Sequence, residues 1–108
     1  TDWNTAANSS NQSRLILKAQ ECQNRMRTLV SSWDSIEPPD EAKDYHTWTR
    51  VAMNYDKDAY GLMVEYYSLD EHNNSSEFSQ LRKQTTDLWI LKDQALFKAL
   101  DAAPEWLK

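Results

Sequence analysis

Apolar side chains return at alternating steps of four and three through three long stretches of the chain. In the first stretch the seam is Leu15, Ala19, Cys22, Met26, Leu29 and Trp33. In the second it is Tyr45, Trp48, Ala52, Tyr55, Ala59, Leu62, Tyr66 and Leu69. In the third it is Phe78, Leu81, Leu88, Ala95, Ala99 and Ala102, with Thr85 and Lys92 filling the same line. Each residue of an α-helix turns about 100°, so this rhythm lays successive apolar groups along one face. Three such faces are covered most simply by packing on one another. The pattern predicts an all-α fold, an up-down-up antiparallel three-helix bundle with long helices, formed as one domain over residues 1–108.

The breaks between the stretches set the expected bounds. The first helix is expected from Ser10 to Trp33, and Asp34 to Pro39 interrupts the rhythm. Pro38 restricts the residue before it, while Pro39, Asp40 and Glu41 suit the first turn of a second helix running to Asp70. Asn73 is placed to end that helix in the left-handed conformation, and Asn74 with Glu77 forms a capping-box variant opening the third. Pro104 ends the third helix. The sole glycine, Gly61, falls inside the second helix, where either a close neighbour or tolerance at an open position accounts for it.

Charge narrows the function. The chain carries 17 acidic and 12 basic residues. Residues 38–71 hold eight acids and three bases, so the excess sits on the second helix. An acidic helix repels phosphate backbones, which argues against nucleic acid as a partner. No apolar run approaches the roughly 20 residues that span a bilayer. Cys22 occupies a seam position and is expected to pack as a small hydrophobe. His46 and His72 lie far apart, and neither has a second histidine or a glutamate three or four residues on. No catalytic residue, metal ligand or cofactor is assigned. Asp56 and Asp58 are expected on the solvated side of the second helix.

Two surfaces carry candidate chemistry. Folding the stretches in register gathers Met26, Trp33, Tyr45, His46, Trp48 and Phe97, with Leu100 and Trp106, near the Pro38-Pro39 turn. Asp44, His46 and Arg50 could supply polar groups to a small-molecule pocket there, although an aromatic stripe also suits plain core. The second surface is the line Met53, Tyr60 and Tyr67, spaced by seven and offset by one from the seam. It reads either as the wide face of a helix touching two neighbours or as a strip for a protein partner. Trp89, Leu96 and Ala103 form a comparable line on the third helix, and two such lines favour self-association, a homodimer being the simplest form.

The segment Glu37-Pro38-Pro39-Asp40-Glu41-Ala42-Lys43-Asp44-Tyr45-His46, followed by a Tyr-rich helix, resembles a passage in small helical-bundle lipoproteins and surface proteins of uncharacterised function. That resemblance implies an extracytoplasmic helical module and brings no catalytic residues. The chain opens at Thr1, and residues 1–10 are expected to act as a polar N-terminal tether of a trimmed surface or secreted protein. A domain of a cytoplasmic protein is the alternative. Sequons begin at Asn8, Asn11, Asn73 and Asn74, in stretches where helix capping also calls for Asn and Ser. The function expected is a non-catalytic interaction or structural module, with a small-molecule carrier or sensor as the alternative.

Overall fold

The computed structural model describes residues 12–69 and 75–108. Among them the chain forms three long helices and no strand: α1 (Gln12–Asp34), α2 (Lys43–Ser68) and α3 (Ser75–Ala102). A 3-10 turn, Asp40–Ala42, precedes α2, and another, Glu105–Leu107, follows α3. None of these helices is long and apolar enough to cross a membrane. The four sequons, the leader, His72 and the Asn73 and Asn74 caps lie outside the described residues.

The bounds of α2 depart from expectation at both ends. Pro39 is extended, at φ −62° and ψ 158°, and the amide of Ala42 donates to its carbonyl at 2.9 Å. Ala42 is then held near φ −108° and ψ 4°, outside the α region, with its methyl buried. The α-helix therefore begins at Lys43 rather than Pro39. It ends at Ser68, because Leu69 is extended and its amide donates back to the Tyr66 carbonyl. At the far end of the chain, Pro104 stops α3 as its missing N–H requires.

α2 is the shared element: α1 and α3 both pack on it, while direct contact between α1 and α3 is slight. Between α1 and α2, Gln12 donates to the Tyr67 carbonyl and Trp33 donates to that of His46. Between α2 and α3, Tyr66 meets Phe78, Asp56 meets Lys92, and Lys98 lies over the Trp48 ring.

The centre of the packing is made of small residues. Ala19, Ala42, Ala52, Ala59, Ala95, Ala99 and Ala103 are buried, with Leu81 and Thr85 as the larger members. Thr85 satisfies its hydroxyl by donating to the Leu81 carbonyl at 2.8 Å. Alanine at a contact lets helix axes approach toward the low end of the usual 8–10 Å separation. Rings do not fit between backbones so close, so the seam residues Tyr45, Trp48, Tyr55 and Tyr66 lie half-buried along the flanks. Three seam assignments need correction. Cys22 is half-buried rather than core, Leu29 is 49% exposed, and Ala103 takes the buried place expected of Ala102. For Leu29 the reason is the absence of a close helix beyond α2 to cover that side of α1.

Gly61 is half-buried beside α1, and a Cβ built on it would come within 2.6 Å of the Gln23 side-chain nitrogen. That atom is the free end of a flexible side chain and can swing aside. Gly61→Ala is therefore expected to stabilise the fold by about 0.5–1 kcal/mol, since alanine removes the entropy cost of glycine in mid-helix. Urea denaturation checks this, and a destabilised variant would mean that the Gln23 contact outweighs helix propensity.

Candidate functional site

The corner at the Pro38-Pro39 turn is tightly tied. The Trp33 ring stacks on His46 with centroids 4.6 Å apart and 8° between planes, and meets Tyr45 edge-on at 6.3 Å. The Trp33 indole donates to the His46 carbonyl at 2.8 Å. In return His46 Nε2 lies 2.8 Å from the Trp33 carbonyl. A carbonyl only accepts, so Nε2 carries the proton in this contact. Arg50 pairs with Asp34 across the same junction, and that hydrogen bond, then the carboxylate charge, raises the guanidinium pKa above its ordinary value. Two of the three polar groups expected to serve a pocket are thus engaged with α1, while Asp44 is exposed.

The aromatic wall is only partly assembled. Trp33, Tyr45 and His46 come together, and Trp48 lies on the α2–α3 side with Lys98 Nζ 4.4 Å from its ring centre. Met26 is half-buried. Phe97 is 69% exposed, and Leu100 and Trp106 are exposed as well. Folding the sequence in register fixes height along the bundle but not azimuth. The buried seam of α3 runs through Ala95 and Ala99, and Phe97, two residues from each, is turned about 200° away from both.

The more distinctive surface is the side of α2 left between its neighbours. The α2 residues that meet α1 include His46, Arg50, Tyr60, Gly61 and Tyr67. Those that meet α3 are Trp48, Asp56 and Tyr66. At about 100° per residue, the two sets are centred roughly 120° apart around α2. Three mutually packed helices would need about 60°, and a square of four helices about 90°. α1 and α3 therefore stand apart, in keeping with their slight contact.

Met53, Tyr60 and Tyr67 fall in this arc, toward α1, and all three are half-buried. Tyr60 and Tyr67 meet α1, so their offset from the seam serves that contact. The Tyr60 phenol is held above its ordinary pKa near 10, first by burial and then by the Asp56 carboxylate and Cys22. A hollow of about 180 Å³ lies between α2 and α3, lined by Met63, Tyr66, Tyr67, Arg82, Thr85, Thr86 and Trp89. Leu96 and Leu100 follow Trp89 by seven and eleven residues, which keeps them within about 20° of its azimuth. Trp89 is 38% exposed, Leu96 41% and Leu100 59%. On α1, Leu29 lies seven residues beyond Cys22 and shares its stripe.

Asp56 is not on the solvated side. Its side chain is 19% exposed and lies 3.7 Å from Lys92 Nζ, itself 28% exposed. The clue in the sequence was Lys92 itself, since a lysine in an apolar seam calls for an acid on the facing helix. Asp58 is exposed, as expected, and lines a broader hollow of about 520 Å³ with Gln23 of α1, Gly61 and Glu65 of α2, and Leu88 of α3. Among the described residues no three of His, Cys, Asp and Glu converge as a metal site would require.

No protein-family model, curated protein or solved structure matches this chain significantly.

Proposed function

We propose that this chain is a non-catalytic helical interaction module, built as an antiparallel up-down-up packing of three helices and binding a protein partner along the open side of α2. The antiparallel order is supported by the pairings of Gln12 with Tyr67 and Trp33 with His46, and of Tyr66 with Phe78 and Trp48 with Lys98. One observation carries the function: apolar side chains on α3, at Trp89, Leu96 and Leu100, stay exposed, and Trp89 lines a hollow with Tyr66 and Tyr67 of α2. Contiguous exposed apolar surface edged by polar groups is the signature of an interaction site. The partner line Met53, Tyr60 and Tyr67 joins this reading through Tyr67, which lines that hollow. Work outside the cytoplasm is part of this reading, and the resemblance of residues 37–46 to surface proteins supports it.

A photoreactive residue tests the surface in the native host. Placed at Leu96 it should give a protein adduct of defined mass, and placed at Asp58 it should not. Equal adducts at both positions, or none at Leu96, would remove the exposed side of α3 as a binding surface.

A further inference from the structure

Resting on the interaction-module reading, we infer that the partner is a second copy of this chain, docked by a two-fold, antiparallel pairing of α3 with its counterpart. Thr86, Trp89, Asp93, Leu96 and Leu100 follow one another at alternating steps of three and four, a second seam on a helix whose first seam is already buried. Ile90, at 51% exposure, and Phe97 widen that stripe. At 100° per residue it is centred roughly 100° from the buried line of Leu81, Thr85, Ala95 and Ala99.

The area is what a dimer needs. Trp89, Ile90, Leu96, Phe97 and Leu100 are about half-exposed, on the order of 500 Å² together at roughly 150–250 Å² for each whole side chain. A stable interface takes roughly 800 Å² from each partner and is about 60% apolar, so the stripe supplies the apolar share.

Charge directs a copy to α3 rather than α2. On α3 the acids Glu77, Asp87, Asp93 and Asp101 are matched by Arg82, Lys83, Lys92 and Lys98, four against four. Residues 38–71 hold eight acids and three bases, so a two-fold contact through α2 sets like charges together.

A two-fold interface must also complement itself. The stripe has a hollow at one end and a knob at the other. The hollow of about 180 Å³ lies beside Thr86 and Trp89. An apolar cavity of about 150 Å³ holds benzene, so this one has room for a phenyl ring. Phe97, at 69% exposure, stands eleven residues beyond Thr86. A two-fold axis between Leu91 and Lys92 brings each Phe97 level with Thr86 of the second copy. The same register sets Arg82 level with Asp101 of the copy. Arg82 donates to the Tyr66 hydroxyl at 3.3 Å, and a guanidinium with five N–H groups serves several acceptors at once. Asp93 falls level with Ile90 of the copy, about 4.5 Å along the axis from its own equivalent.

Sedimentation equilibrium of the full chain over a wide concentration range tests this. A monomer–dimer equilibrium is expected, and Phe97→Glu should weaken it at least about tenfold. Arg82→Asp and Asp101→Arg should each weaken it about tenfold alone, because each sets like charges together twice. An equimolar mixture of these two variants should regain the affinity, since both pairs are then opposite in sign. All three positions are exposed, and circular dichroism should show the variants folded. Charge variants that stay weak when mixed would overturn the register, and a dimer indifferent to Phe97→Glu would overturn the α3 interface. A monomer at every concentration, with a Leu96 adduct carrying the mass of another protein, would overturn the second copy and leave the interaction module standing. A monomer with no such adduct would overturn both.

Discussion

Replacing Ala59 by leucine is expected to destabilise the protein by about 3 kcal/mol, the upper end of the usual range for overpacking. Ala59 is fully buried, at 0% exposure, in the middle of α2. It belongs to a seam in which Ala52, Ala95 and Ala99 are also buried, so backbones meet there with little between them. A larger side chain at this fully buried position must press on the facing helix. It can be housed only by moving α3 outward, which loosens every alanine contact along the seam. Ala59→Gly provides the contrast, because it keeps the close approach and costs only about 1–2 kcal/mol through helix propensity and one lost methyl. The expected order, with leucine worse than glycine, reverses the ordinary ranking of helix formers. Urea midpoints at constant m-value read it directly. A nearly neutral leucine would mean that the helices do not approach closely at Ala59.

Much of the packing was legible in the spacing alone. Ala19, Ala52, Ala59, Leu81, Thr85, Ala95 and Ala99 were all placed on the seam, and all are buried. Heptad spacing states which stripe of a helix turns inward, and that information is local. What it does not state is the angle between the two neighbours that one helix serves. That angle decides whether three helices close around a common core or leave a side open, and here it leaves Leu29, Trp89 and Leu96 uncovered. A trace of it was present, since Met53, Tyr60 and Tyr67 stood one residue off the main seam. A helix with two partners set wide apart needs such a second line. The aromatic residues misled for a related reason. Trp48, Tyr55 and Tyr66 share their stripe with Ala52 and Ala59, and the alanines set the helix separation. The rings were therefore displaced to the flanks, and a corner expected to assemble a full aromatic pocket holds the Trp33–His46 pair instead.

The open side also bears on how stability and binding are linked. A fold whose buried centre is mostly alanine gains little apolar burial per residue compared with one centred on leucine, at about 25 cal/mol per Å². A partner seated on the exposed side of α3 would cover Trp89, Leu96 and Leu100 and add to the same core. Any partner that binds only the folded chain must raise its apparent stability by mass action. On this reading, a buried centre of small residues and an uncovered apolar side go together.

Leu81→Ala is expected to cost about 2–4 kcal/mol, and more than Leu62→Ala, although both residues occupy the predicted seam. Leu81 is buried on α3, and its carbonyl also accepts the Thr85 hydroxyl. It lies one turn from Phe78, which packs edge-on against Tyr66 at 4.8 Å. Truncation there opens a cavity beneath rings that are already fixed by one another, so little relaxation can fill it. Leu62 is half-buried and lines the 520 Å³ hollow, where solvent can already reach. Removing its methyl groups enlarges a surface depression and forfeits only the partial burial they had. The pair therefore separates two accounts of the fold. A closed bundle would bury Leu62 and Leu81 alike and give similar losses. Two helices set wide apart on α2 leave Leu62 beyond the α2–α3 contact, and the smaller loss at Leu62 follows from that angle.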